Sequence, residues 1–248
     1  MIRVEDLHKS FDGFEVLRGV SFQVERGEIL ALIGRSGHGK SVLLKNIAGL
    51  MRADRGHVFI DGEDICRLRG RKLERLRNRF AFLFQGGALF DSLTVFENVA
   101  FPLKERAGLK DGEIREKVLS ELELVGLAGA EQKYPAELSG GMMKRAALAR
   151  ALVREPEIMF FDEPTTGLDP IIAHAILNLI DSIHKRLRFT GMIVTHQIPR
   201  VFDIVQRVAM LYEGSILITG SPGEILSSGD PIVGQFIRGE IEGPIDYH

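Results

Sequence analysis

The segment ILALIGRSGHGKSV, residues 29–42, constrains this chain more than any other. Its first five residues are all aliphatic, as in a strand buried on both faces, and glycines 34, 37 and 39 then interrupt the run. KSVLLKNIAGL follows with Leu43, Leu44, Ile47 and Leu50 at helical spacing, so the order is buried strand, glycine-rich turn, helix. Gly34, four residues, then Gly39-Lys40-Ser41 fit the phosphate-loop pattern. The chemistry dictates those residue types. Glycines let backbone N–H groups approach an anion, and the helix points its positive end at it. In that pattern Lys40 reaches the β and γ phosphates of a nucleotide and Ser41 ligates magnesium. At average glycine content the bare pattern arises by chance in roughly one chain in a hundred.

The flanking segments read as α/β. VSFQVERGE alternates Val20, Phe22 and Val24 with polar residues and turns at Arg26-Gly27, as a half-exposed strand does. From about Gly86 to Pro156 the pattern is helical, with Ile114, Val118, Leu122 and Val125 on one face. EIMFF and GMIVTH then flank a helix whose predicted stripe is Ile172, Ile176, Leu179, Ile183 and Leu187, making a β-α-β unit. RVAMLYEGSILITG predicts a hairpin at Glu213-Gly214, and Ser221-Pro222 opens a further helix. The expected division is a core of residues 1–85 and 157–235, a helical segment 86–156, and a tail 236–248. Asp162 and Glu163 stand where a buried strand ends, the place where α/β sheets bind ligands. Asp162 suits magnesium through its shell, and Glu163 suits polarising a water for attack on a γ phosphate.

With these residues in place the chain resembles the ATP-binding cassette (ABC) ATPases along nearly its whole length. Leu138 to Met142, LSGGM, looks like the family signature, and TTGLDP with Asp169 looks like its D-loop. Gln85 resembles the Q-loop glutamine, and His196 the switch histidine. Phe11 matches the aromatic position on which adenine stacks. The departures are Met142 for the usual glutamine, Val42 after Ser41, and Phe11 for the commoner tyrosine; none removes a group the chemistry needs. The resemblance implies a P-loop NTPase core with a mixed sheet, an antiparallel β subdomain and an inserted helical subdomain. It assigns catalysis to Lys40, Glu163 and His196. It assigns ATP contacts to Phe11, Val16, Gly34, Arg35, Ser36, Gly37, His38, Gly39, Lys40, Ser41, Val42, Gln85, Ser139, Gly140, Gly141 and Asp169, and Mg²⁺ to Ser41, Gln85 and Asp162. Ser139, Gly140 and Gly141 themselves offer a hydroxyl and amides at a helix start, a second anion-binding device. In the family, that signature faces the phosphate loop of a second subunit, which implies a two-fold homodimer.

FLFQGGALFDSLTVFENVAFPL, LSGGMMKRAALARAL and QFIRGEIEGPI carry a closer resemblance, to the ATPase subunits of the Mla/Mce group. These drive phospholipid movement between bacterial inner and outer membranes. That implies transmembrane permease subunits, an Mce-domain protein in the same complex, and room for a small STAS-type accessory subunit. Leu89, Phe90, Leu93, Val95 and Phe96 would then form the surface that docks a permease's coupling helix. The alternatives are a cassette for another solute, such as an amino acid, or a soluble ABC ATPase acting outside transport.

Charge narrows the partners. Lys plus Arg total 32 and Asp plus Glu 34, a net charge of −2, so no global basic field draws the chain to nucleic acid or anionic lipid. RLRGRKLERLRNRF sets seven cations against Glu74, yet without interleaved aromatics it reads as a solvated amphipathic helix and not as a nucleic-acid patch. The single cysteine, Cys66, excludes an internal disulfide. A start without signal-peptide blocks, and no apolar run of transmembrane length, give a cytoplasmic expectation, peripheral on the inner membrane through permease subunits. In the tail, Gly243-Pro244 fixes a bend, and Ile241, Ile245 and Tyr247 are expected to form an apolar edge for a partner cassette.

Overall fold

The computed structural model describes residues 2–105, 108–196, 198 and 200–246. Two compact units emerge, Met1–Arg77 with Phe189–His248, and Asn78–Arg188. The second holds the whole 86–156 segment together with a strand on either side of it and one long helix.

In the first unit, β1 (Ile2–Phe11), β2 (Phe14–Val24), β4 (Arg55–Ile60) and β5 (Glu63–Asp64) form an antiparallel sheet ordered β2-β1-β4-β5. One face is wet. Val20 and Val24 are buried while Ser21 and Gln23 are exposed, as the alternation requires. β3 (Ile29–Ile33) is buried at all five positions and pairs in parallel with β8 (Thr190–Val194) and β9 (Arg207–Tyr212). β10 (Ser215–Gly220) returns antiparallel to β9, so the sheet is mixed. The β9–β10 turn is Glu213-Gly214, both at positive φ (46° and 83°), the two-residue geometry that matches strand twist. α1 (Lys40–Ile47) buries Leu43, Leu44 and Ile47, each contributing about 1.5–3 kcal/mol. Leu50 departs from the expectation. The helix ends at Ala48, Gly49 takes φ 66°, and Leu50 falls beyond the periodic face with half its surface exposed.

α2 (Gly70–Arg77) buries only Leu76, in keeping with a solvated helix. The cations of the arginine-rich segment do not form one face: Arg67, before the helix, pairs with Asp64, and Arg77 turns inward to donate to the Gly49 carbonyl. The unit closes with α7 (Pro222–Leu226), capped reciprocally by Ser221 and Glu224, and α8 (Pro231–Arg238). Here the tail departs from the expected apolar edge. Ile241 is 88% exposed but Ile245 only 1%, because Gln235 accepts from the Ile245 amide and donates to the Glu240, Ile241 and Ile245 carbonyls. The tail folds back onto its own helix. Tyr247 lies outside the described residues.

The second unit pairs β6 (Phe80–Leu83) with β7 (Ile158–Asp162) in parallel, with Phe80 edge-on to Phe160 at 5.6 Å between centroids. Around them lie α3 (Val95–Lys104), α4 (Asp111–Leu124), α5 (Gly140–Leu152) and α6 (Pro170–Leu187). Ile114, Val118, Leu122 and Val125 are buried as their spacing predicts. On α6 the buried stripe is rotated by about one residue. Ala173, Ile176, Leu177, Ile180 and Ile183 are buried, whereas Ile172, Leu179 and Leu187 are only half-buried. An 18-residue helix with aliphatics on two adjoining faces leaves that choice to its neighbours. Val95 is fully buried, so it belongs to the core and not to a docking surface. No helix among the described residues is long and apolar enough to cross a membrane.

The loop before α3 depends on one side chain. Asn98, fully buried, donates to the Phe90, Leu93 and Thr94 carbonyls at 3.0–3.1 Å and accepts from the Phe90 amide at 2.8 Å. Asn98→Ala leaves these groups without partners in a dry site, an expected loss of about 2–4 kcal/mol. Thermal unfolding should show Tm lowered by roughly 5–15 °C, and an unchanged Tm would contradict this account.

Candidate functional site

In the first unit the site begins where β3 ends. Leu32 of β3 sits beside Val194 of β8 in register, so the loop 34–39 and His196 leave the sheet at the same edge. Thr195 is buried and His196 exposed, the order needed to present an imidazole at a strand end. Gly34 takes φ 144°, and a Cβ there would collide with the Leu211 carbonyl. Gly37 takes φ 79°, but a Cβ there would meet nothing within 4 Å. The two glycines therefore serve different ends: Gly34 lets the loop lie against β9, while Gly37 supplies a left-handed turn on the open side.

Gly39 is the N-cap of α1 and supplies no side chain to the first amides of the helix, which leaves backbone donors at its positive end. Lys40, 5% exposed, lays its ammonium across the loop and donates to the Gly34 and Arg35 carbonyls, each at 2.8 Å. Ser41 and Val42, in the first turn, and Arg35 of the loop are half-buried, whereas Ser36 is exposed. His38 stacks with Tyr212 at 6.5 Å. Burial, aided by the nearby Arg35 and Lys40 charges, holds its imidazole below the ordinary histidine range.

Val16 reaches this loop, since a Cβ on Gly39 would lie 2.7 Å from its Cγ1. Phe11 lies farther along the same hairpin, 41% exposed beside Phe14, with the Lys9 ammonium 5.3 Å from its ring centre. An exposed aromatic at a hairpin tip is free to stack on a flat ligand.

The second unit gathers the carboxylates. Asp162 ends β7 and is 6% exposed; Glu163 follows at φ 52° and accepts from the Thr166 hydroxyl at 3.0 Å. Gln85 is exposed two residues beyond β6, and its carbonyl accepts from the Lys144 ammonium. Burial lowers the Lys144 pKa, while the Glu163 charge acts in the opposite direction. One lysine thus faces both the glutamine loop and the carboxylate. Arg150 fixes the next residues of that loop, donating to the Gly87 and Ala88 carbonyls at 2.8 and 2.7 Å. The sequence reading missed Lys144 and Arg150; their signal was that they, with Arg145, are the cations of an apolar, small-residue helix after LSGG.

Ser139 caps α5, accepting from the Met142 amide at 3.3 Å, and is itself exposed. Gly141 has no room for a side chain, as a Cβ would lie 2.6 Å from Ile172 Cγ2; at Gly140 it would lie 3.1 Å from Leu168. Asp169 accepts from the Ile171 and Ile172 amides at 2.9 and 3.0 Å, capping α6. The structure thus brings Asp162, Glu163 and Gln85 together with Lys144, and sets Ser139, Gly140 and Gly141 against the start of α6.

Residues 17–166 match the family described as ABC transporter. The chain is 41% identical over 247 residues to the intermembrane phospholipid transport system ATP-binding protein MlaF of Haemophilus influenzae, spanning all of this chain and 94% of that protein. It is 43% identical over 244 residues to the probable ribonucleotide transport ATP-binding protein mkl of Mycobacterium leprae, spanning 98% of this chain and 70% of that one. Among solved structures, the ATP-binding cassette MJ0796, dimeric in a post-hydrolysis state with ADP and Pi, matches with a TM-score of 0.82 and 29% identity. That match covers 90% of this chain and 99% of the other.

The contrast between the two glycines is testable. Gly34→Ala meets backbone and should cost several kcal/mol, about 2–4, whereas Gly37→Ala carries only the left-handed penalty of about 1–2 kcal/mol. Denaturant titration of both variants should rank them in that order, and equal midpoints would show that the approach to Leu211 carries no strain.

Proposed function

Because the chain belongs to the ABC transporter family and is an ATP hydrolase of that type, we propose that it is the ATPase subunit of a transporter moving phospholipid between bacterial inner and outer membranes. The observation that carries the reading is the pair of strand-end devices. A glycine loop with a buried lysine follows β3, and Asp162-Glu163 stands at the end of β7, with Glu163 held by Thr166 and faced by Lys144. The full-length similarity to MlaF supports the phospholipid assignment. The similar identity to mkl favours a second reading, nucleotide-type cargo, but over a smaller share of that protein.

In this reading the amides of residues 34–39 and the Lys40 ammonium take the β and γ phosphates, with adenine on Phe11 and Val16. Arg35, Ser36, Gly37 and His38 line the loop's open rim. Glu163 orients the attacking water and accepts its proton, and His196 donates to the γ phosphate as charge builds there. Thr166 fixes one Glu163 oxygen by donating its hydroxyl to it. Ser41, Gln85 and Asp162 offer hydroxyl, amide and carboxylate oxygens, hard donors of the kind magnesium takes. Among the described residues no group of three or more His, Cys, Asp or Glu could hold a metal by itself. Magnesium at Ser41, Gln85 and Asp162 would take nucleotide phosphates and water as its further ligands. Bound there, magnesium neutralises charge on the β and γ oxygens.

Ser139, Gly140 and Gly141, with Asp169 behind them, serve the nucleotide of a second copy in a two-fold dimer. Permease subunits dock on the second unit. Phe90 and Phe101, 44% and 38% exposed with centroids 4.9 Å apart, form an aromatic patch beside Leu89, Leu93 and Phe96. An Mce-domain protein and a STAS-type subunit complete the complex, and the chain sits on the cytoplasmic face of the inner membrane through the permease.

Two variants separate chemistry from binding. Glu163→Gln should retain ATP affinity and lose about 10²- to 10⁴-fold in turnover, while Lys40→Ala should weaken ATP binding itself. Wild-type hydrolysis by the first, or unchanged calorimetric affinity in the second, would overturn the roles assigned. For the cargo, affinity capture from detergent-solubilised membranes should recover a permease, an Mce-domain protein and co-purifying phospholipid. Recovery of a permease with neither of the others would remove the phospholipid assignment.

A further inference from the structure

β6 and β7 run in parallel with Leu83 beside Phe161, and Gln85 and Glu163 each lie two residues past that pair. The glutamine loop and the carboxylate thus leave adjacent strand ends, and Lys144 of α5 faces both. Lys144, Ala147 and Arg150 follow one another along that helix at intervals of three. The Lys144 ammonium donates to the Gln85 carbonyl, and Arg150 donates to the Gly87 and Ala88 carbonyls. Gly87, at φ 74°, brings its backbone so near the helix that a Cβ there would lie 3.4 Å from Ala147 Cβ. The loop is also closed on itself, since the Gly87 amide donates to the Phe84 carbonyl at 2.8 Å.

Holding carbonyls does not by itself call for a buried ammonium. Lys144 is 6% exposed, and a neutral amide would donate at a smaller cost of desolvation. What a cation adds is a field, and the charge it meets here is that of Glu163. We propose that Lys144 is a positioning residue for ATP hydrolysis, setting Gln85 through its backbone and Glu163 through charge, so that the two groups keep one spacing as the water attacks. This role rests on the reading of Glu163 as the residue that orients the water. Lys144 touches neither nucleotide nor water in that reading, and these contacts lie within the second unit, while the loop 34–39 belongs to the first. Loss of Lys144 therefore acts on turnover and spares ATP affinity.

The test is steady-state hydrolysis of ATP by the whole chain, read beside calorimetric ATP affinity and hydrogen exchange at the Gly87 amide. Lys144→Met keeps most of the apolar stem and removes the charge. It is expected to lower kcat about 10- to 100-fold, to leave ATP affinity within about twofold, and to speed exchange at Gly87. Lys144→Arg, which restores a cation, should recover most of the turnover. Lys144→Gln should lose turnover as Lys144→Met does, because it brings no charge to Glu163, and it decides the matter if the methionine variant fails to fold. Arg145→Met removes the neighbouring cation of α5, whose guanidinium lies by Gly126, and should hydrolyse ATP as the wild type does. Full turnover in either neutral variant of Lys144, an equal loss in Arg145→Met, or no recovery in Lys144→Arg overturns the proposal. Wild-type hydrolysis by Glu163→Gln would instead remove the catalytic reading beneath it. An inactive Glu163→Gln beside a fully active Lys144→Met would remove the role of Lys144 alone.

Discussion

The strongest constraint on this molecule is that backbone amides must be aimed at an anion, and backbone amides inside a sheet are already used. They become available only where a strand stops and a helix has not yet begun. β3 therefore has to end abruptly, and it has to end inside the structure, where neighbouring strands hold its terminus still. Both conditions are visible: five buried aliphatic residues with a parallel strand on each side, then a glycine whose missing Cβ lets the loop lie against the Leu211 carbonyl. The α1 core residues Leu43, Leu44 and Ile47 anchor the other end. Shifting either anchor would re-aim the loop, so the fold of the first unit is in large part the support of six residues.

The second unit solves a different problem, that of holding a carboxylate in place beside buried groups. Glu163 sits in a left-handed conformation just past the strand, with Thr166 holding one oxygen. Lys144 balances it. Burial lowers the pKa of its ammonium and the Glu163 charge opposes that shift, while the ammonium donates to the Gln85 carbonyl. Because Arg150 holds the Gly87 and Ala88 carbonyls of the same loop, the glutamine loop is fixed by two cations of one helix, α5. That helix starts at the signature, so the signature and the glutamine loop are mechanically linked within the unit.

What the sequence made legible follows from this division. Motifs whose chemistry is local were readable in place: the phosphate loop, the Asp162-Glu163 strand end, the Glu213-Gly214 hairpin and the Ser221 cap all depend on a few consecutive residues. Features decided by distant neighbours were not. The buried face of α6 turned on packing, since Leu177 and Ile180, which are buried, and Leu179, which is only half-buried, offer similar hydrophobicity on adjoining faces. Ile245 looked like a free edge because nothing local announces that Gln235, ten residues earlier, will take both of its backbone groups. Val95 looked like part of a surface and lies in the core, while Phe90 in the same run is exposed. Lys144 and Arg77 escaped notice for a related reason: a cation in a helical segment reads as solvated until a carbonyl from elsewhere is found opposite it.

The start of α6 shows how tightly such distant decisions interlock. Asp169 accepts from the Ile172 amide, and the Ile172 side chain fills the space that a Cβ on Gly141 would need. The backbone of the D-loop segment and that of the signature helix are thus set by one residue, held through its amide on one side and its γ-methyl on the other. Closely packed interiors transmit displacement instead of absorbing it. A shift of Ser139, Gly140 and Gly141 must therefore carry Ile172, and with it the Asp169 cap. The glycine at 141 is required twice over: as part of a helix start with exposed amides, and as the only residue small enough to keep that contact.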